Sequence, residues 1–164
     1  MNYNSRLLDS KIEKKLKSTG GILLKGIRFC GKTTTAIQHA GSFVRLDESE
    51  LLREQATLAP RIVLEGDTPR LIDEWQLVPS IWNAVRSEID LRSKKGQFIL
   101  TGSANPSDDI STHTGAGRIA RMTMRTMSLA ESNDSIKSVS FKDLFIKSKE
   151  IGGLGGVEIR EYAK

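Results

Sequence analysis

The chain has 164 residues, the length of one domain, and a chain of that size buries a core without disulfides or metal staples. It is 38% hydrophobic and 27% charged, and 25 basic against 20 acidic side chains leave a net charge of +5, which favours anionic ligands without marking nucleic acid, because the basic residues are scattered. Cys30 is the one cysteine, which excludes an internal disulfide framework; the polar opening MNYNSRLLDSKIEKKLK lacks the apolar centre of a signal peptide and no run elsewhere is long enough to span a bilayer, so a cytoplasmic protein with no membrane role is expected.

In chain order, Leu7, Leu8, Ile12 and Leu16 recur at helical spacing and predict a helix over 5–17, stopped by Ser18-Thr19-Gly20-Gly21. The short apolar run 22–24 between glycines suits a buried strand. A loop over 26–31 and a helix over 32–39 follow. A second strand is expected at 43–46, a charged helical stretch at 48–55, and a third strand at 70–73. Ile81, Trp82, Val85 and Ile89 share one face of a helix predicted over 79–91, with Pro79 near its start. A fourth strand is expected at 97–101 and a fifth, alternating only in part, at 119–127. Strands alternating with helices predict an α/β fold on a mostly parallel sheet. From Ser132 the composition changes: 132–140 reads as a loop, 141–149 as a turn or two of helix, and the glycine-rich 152–156 as irregular. The expected division is one α/β domain over 1–131 and, over 132–164, a linker or the start of a truncated C-terminal region.

Gly26-Ile27-Arg28-Phe29-Cys30-Gly31-Lys32-Thr33 fits the pattern G-x-x-x-x-G-K-[ST] at every fixed position. Glycines let the backbone turn tightly and bring its N–H groups against phosphate oxygens, and the loop runs into a helix whose first amides add donors. Lys32 would reach the β- and γ-phosphates, Thr33 would offer its hydroxyl to Mg²⁺, and Thr34 follows within reach of the same phosphates. Cys30 has a nucleophilic or redox reading, but neither histidine is spaced to partner it, and a small residue that fits the loop is the preferred one.

Asp73 and Glu74 close an apolar strand, the end at which α/β sheets bind ligands. Asp73 is the candidate metal carboxylate opposite Thr33, and Glu74 the candidate general base. The following strand ends in Thr101-Gly102-Ser103-Ala104-Asn105, placing Ser103 or Asn105 where a polar group senses the γ-phosphate, with Thr101 behind them. Arg118 and Arg121 are candidates for an arginine offered to phosphate in the same chain or a neighbour. His39 and His113 lack metal-ligand spacing and are read as non-catalytic; Trp75 and Trp82 are expected to pack on the sheet.

These runs, GIRFCGKTTTA, LIDEWQLVPSIWNAVRSEID, GQFILTGSAN and GAGRIARMTMRTMSLAES, resemble the predicted AAA+-like ATPases of bacteria and archaea, in which an AAA-type ATPase domain precedes a separate C-terminal domain of unknown function. The resemblance covers roughly residues 6–131. It includes Gln76 and Val78-Pro79 after the acidic pair. It implies a three-layer P-loop NTPase of the additional-strand kind, with the acid-bearing strand one removed from the P-loop strand. It implies ATP and Mg²⁺ as ligands, Gly31, Lys32 and Thr33 as phosphate and metal binders, Asp73 and Glu74 as the acidic pair, Ser103 as the sensor-like position and Arg118 as the finger-like one. The loop interior Ile27-Arg28-Phe29-Cys30 departs from the family's more usual Pro-Arg-Gln-Val-like sequence, which leaves backbone contacts to phosphate intact.

The function expected is Mg²⁺-dependent ATP binding and hydrolysis coupled to a partner or a C-terminal domain, with Glu74, Lys32, Ser103 and Arg118 as the catalytic set. Two alternatives stand beside it: an ATP-binding regulatory module without turnover, and a P-loop small-molecule kinase with 112–125 as its arginine-bearing lid. A finger supplied between subunits would require a homo-oligomer. Nothing in the sequence selects a protein or a nucleic-acid partner.

Overall fold

The computed structural model describes residues 3–103 and 117–132. Five strands, β1 (Gly21–Gly26), β2 (Ser42–Arg45), β3 (Arg70–Asp73), β4 (Phe98–Ser103) and β5 (Ile119–Met124), form one sheet in the order β2-β3-β4-β1-β5. Every pairing is parallel. The acid-bearing β3 is separated from β1 by β4, the arrangement the resemblance implied.

A parallel sheet covered on both faces needs strands that are apolar throughout rather than alternating. β1 reads Gly-Ile-Leu-Leu-Lys-Gly and is buried over most of its length. Ile22 and Leu24 point to one face and join Leu71 and Ile99, while Leu23 points to the other with Ile72 and Leu100. The first face is covered by α1 (Asp9–Ser18), through Ile12 and Leu16, and by α2 (Lys32–Gln38), through Ala36. The second is covered by α3 (Glu50–Leu58), α4 (Pro60–Leu64) and α5 (Ser80–Arg92). Ile81, Trp82, Val85 and Ile89 of α5 are all buried, as their spacing predicts. Trp75 and Trp82 pack with ring centroids 5.2 Å apart within that layer. The result is a three-layer α/β domain of the P-loop NTPase kind.

Several elements differ from expectation. The first helix begins at Asp9, not at residue 5, because the chain turns at Leu7 and Leu8 and leaves Leu7 exposed. The third helix starts at Glu50, where Ser49 caps it by accepting from the Leu52 amide at 3.4 Å, and it runs three residues further than expected, to Leu58. Helix α4 was not anticipated. Its five residues are too few for a helical period, although Pro60 at its first turn and buried Val63 and Leu64 explain it in retrospect. β4 extends to Ser103, and β5 stops at Met124 rather than 127.

Residues 7–126 belong to one compact unit, and the described residues 3–6 and 127–132 to a second. In the second, Arg6 Nε lies 3.0 Å from Glu131 Oε1, and Glu131 Oε2 accepts from the Ser128 amide and hydroxyl, each at 2.8 Å. The expectations for 132–140 (apart from Ser132 itself), 141–149, 152–156, Asn105 and His113 fall outside the described residues.

Leu100 is fully buried on the central strand. Replacing it with alanine should lower unfolding free energy by about 2–5 kcal/mol, read as a shift in urea midpoint at unchanged slope.

Candidate functional site

In a parallel sheet all the carboxyl ends of the strands lie along one edge, and the register decides which residues meet there. Gly26 stands beside Ser103, and Ile72 beside Leu100, which brings Asp73 level with Thr101. Arg45 is in register with Asp73 on the other side.

The loop begins where β1 ends. A Cβ on Gly26 would stand 2.5 Å from the Met124 carbonyl oxygen and 2.8 Å from Cys30 Sγ, so only glycine fits. Cys30 is buried beneath the loop, its Sγ 3.8 Å from the same carbonyl, and serves as packing there. Phe29 and Gly31 both have positive φ, 64° and 90°. Phe29 is thereby held in a region that non-glycine residues seldom enter, a strain that recurs at ligand sites. Ile27, Arg28 and Phe29 are exposed, with the Arg28 guanidinium 5.1 Å from the Phe29 ring centre. Lys32 is buried, and its Nζ donates to the carbonyls of Gly26 at 3.0 Å and Ile27 at 2.9 Å. The ammonium therefore sits inside the curve of the loop. Thr34 is exposed one residue beyond Thr33.

Asp73 is 2% exposed. A carboxylate so buried must be bonded. The Thr33 hydroxyl donates to it, 2.9 Å from Oδ1 and 3.0 Å from Oδ2. The Thr101 hydroxyl donates to Oδ1 as well. Thr101 is thus a direct partner of the carboxylate rather than a residue behind Ser103. Arg45 Nε lies 3.8 Å from Oδ2, and its guanidinium also meets Asp47 and Glu48. No sequence signal pointed to Arg45, because only the β2–β3 register places it there.

Glu74 follows in the left-handed region, with φ 54° and ψ 43°, and leads into a short 3-10 turn over Trp75–Leu77. Gln76 Nε2 donates to Glu74 Oε2 and, at 3.4 Å, to Ser103 Oγ. Lys32, Thr33, Asp73, Glu74 and Ser103 are therefore gathered at one sheet edge.

Arg118 is not with them. It precedes β5, and its carbonyl accepts from the Gly21 amide, which places it at the amino edge of the sheet. Five strand steps, about 17 Å, separate that level from Gly26. Its Nε donates to Asp90 at 2.6 Å; this bond holds the Asp90 carboxyl below the ordinary carboxylate range and raises the arginine. An arginine there cannot serve the loop of its own chain. Arg121 lies part-way along β5, its guanidinium 5.9 Å from the Trp82 ring centre. His39 pairs with Asp9 at 3.1 Å.

Among the described residues no three His, Cys, Asp or Glu side chains cluster as a metal site. The pair Thr33 and Asp73 nevertheless supplies adjacent hydroxyl and carboxylate oxygens, hard donors of the kind a mostly water-ligated Mg²⁺ takes, so the residues present fit that ion. Beside the loop, between the ends of β1 and β5, a cavity of about 430 Å³ is lined by 25–27 and 123–126. That size suits a small organic ligand.

A family model described as AAA domain matches residues 18–133. The solved structure of PCH-2 from C. elegans is similar at 14% identity and a TM-score of 0.36, over 82% of this chain and 48% of that one, so the chain spans about half the length of that structure. No curated protein matches. No helix among the described residues is long and apolar enough to cross a membrane.

Thr101→Val keeps the volume of a fully buried side chain and removes one donor from Asp73. Stability should fall by about 1–3 kcal/mol in urea unfolding; an unchanged midpoint would show that Thr33 alone satisfies the carboxylate.

Proposed function

This chain belongs to the AAA domain family, and we propose that it binds ATP with Mg²⁺ at the loop 26–33 and hydrolyses the γ-phosphate, with Glu74 as general base. The observation that carries the reading is the convergence of Lys32 Nζ inside the loop, Thr33 bonded to buried Asp73, and Glu74 on the next residue.

Each group has a role that follows from its place. The loop amides would donate to the phosphate oxygens, the loop being held in shape where Gly26 packs against the Met124 carbonyl and Cys30. Lys32 exchanges one of its carbonyl partners for phosphate oxygen. Thr33 and Asp73 would hold Mg²⁺, which when bound neutralises charge on the β- and γ-phosphates. Glu74 takes a proton from the attacking water as its oxygen bonds to the γ-phosphorus and the bond to the β–γ bridging oxygen breaks, releasing ADP and phosphate. Ser103 is placed to hydrogen-bond the γ-phosphate or the water. The cavity between β1 and β5 is the adjacent space for the nucleoside. Arg118, at the other edge of the sheet, is left a role only in the site of a neighbouring copy.

A regulatory module without turnover would need no base at residue 74, and the left-handed turn that carries Glu74 favours the hydrolytic reading. What the hydrolysis drives is a matter for a partner or a further domain.

Lys32→Ala should weaken ATP binding by about 10- to 100-fold in a titration, the worth of one charge-assisted bond. Glu74→Gln should keep ATP affinity and lose phosphate release by about 100-fold or more. Retained turnover in Glu74→Gln would overturn the base assignment. Arg118→Ala should leave nucleotide affinity unchanged, and should slow turnover only under conditions where the chain self-associates.

A further inference from the structure

We propose that Gln76 is a positioning residue that ties the Glu74 carboxylate to Ser103, so that the base and the end of β4 act as one unit. The inference rests on the reading of Glu74 as the general base and goes beyond it to what aims that base.

A glutamate on a turn just past a strand has three rotatable side-chain bonds and no intrinsic reason to face a substrate. Here its backbone is fixed in the left-handed region, and its carboxylate is only partly shielded. Among the described residues, Gln76 meets it: Nε2 donates to Glu74 Oε2 and also reaches Ser103 Oγ at 3.4 Å. The amide is carried on a firm base. Trp75, on the same short turn, is buried and packs against Trp82, and Val78 closes the turn from within the core.

Two further observations show that the neighbourhood is shaped around this amide. A Cβ on Gly102 would stand 2.5 Å from Gln76 Oε1 and 3.1 Å from Trp75 Nε1, so the amide occupies the space that glycine leaves. Gln76 Oε1 is itself shielded and has no hydrogen-bond partner among the described residues. A buried acceptor without a donor is uncommon in a fold. It persists here because turning the amide over would set that oxygen against the Glu74 carboxylate, acceptor against acceptor. The carboxylate thus fixes the amide and the amide fixes the carboxylate. Gln76, Gly102 and Ser103 form a single device: Gly102 admits the amide, Glu74 receives one N–H, and Ser103 lies close to the other.

The test uses the whole chain with ATP and Mg²⁺, following phosphate release, ATP affinity and thermal melting together. Gln76→Leu removes the donor and shortens the side chain by one atom. It should lower kcat by about 10- to 100-fold with ATP affinity within about twofold of wild type. Gly102→Ala, which crowds the amide without touching Gln76 itself, should lower kcat in the same direction. In a Glu74→Gln background, Gln76→Leu should cause no further loss, because Gln76 acts through Glu74. A merely structural role would instead multiply the two losses and move the melting temperature in step with activity, and either result overturns the proposal. Full kcat in either folded single variant overturns it too, and Gly102→Ala decides the matter if Gln76→Leu does not fold. If wild type releases no phosphate, or Glu74→Gln keeps its turnover, the base assignment fails and this proposal with it. If those two behave as expected and Gln76→Leu is fully active, only the positioning role is lost.

Discussion

The Asp73 carboxylate is the constraint around which the sheet edge is organised. A charge with 2% exposure at the end of an apolar strand is tolerable only if its oxygens are satisfied. The Thr33 hydroxyl comes from the helix after the loop and the Thr101 hydroxyl from β4, while Arg45 of β2 adds a charge contact at 3.8 Å and no hydrogen bond. Satisfying one group therefore ties the helix after the loop and β4 to the end of β3. That lock also sets the loop, because Thr33 follows Lys32, and Lys32 is the residue that closes the loop onto its own carbonyls.

The architecture was legible because its signals are local. A glycine-bounded apolar triplet, an eight-residue loop pattern and a period of 3.6 in 79–91 each report on the segment that contains them. The one-removed position of β3 came from the resemblance, not from periodicity, since strand order is not written in any single segment. What escaped the sequence was of two kinds. Helix α4 is five residues long and falls below the length at which a period can be counted. Arg45 and the bonding role of Thr101 depend on cross-strand register, which only the assembled sheet defines. Gln76 stood in plain view after the acidic pair but had no motif to give it work until its amide was found on Glu74.

Arg118 shows the reverse case, a residue whose type suggested chemistry that its place does not serve. All five strands run the same way, so the edge where they begin and the edge where they end are chemically distinct surfaces. A residue just before a strand belongs to the first edge, and no side-chain rotamer carries it to the second. Arg118 is accordingly paired with Asp90 at the end of α5, a solvent-exposed pair of small energetic weight. Its raised proton affinity and the depressed one of Asp90 are two views of the same hydrogen bond. The linkage has a definite sign: the pair's contribution to stability is present above the unfolded-state pKa of an aspartate and fades as pH falls through the lower folded value. Nothing in that behaviour touches the loop.

The polar groups of the site are already engaged with one another, and this limits how affinity can be built. Lys32 donates to two carbonyls, Thr33 donates to Asp73, and Gln76 donates to Glu74. A triphosphate that recruits Lys32 must exchange partners rather than satisfy a bare charge, so the net gain per contact is about 0.5–3 kcal/mol and not the gross strength of an ion pair. On the proposed reading, tight binding then has to come from many loop amides acting together. The same logic separates the two acids. Asp73 is held by hydroxyls from two elements and contributes rigidity; Glu74 is met by the Gln76 amide from the short turn that follows it.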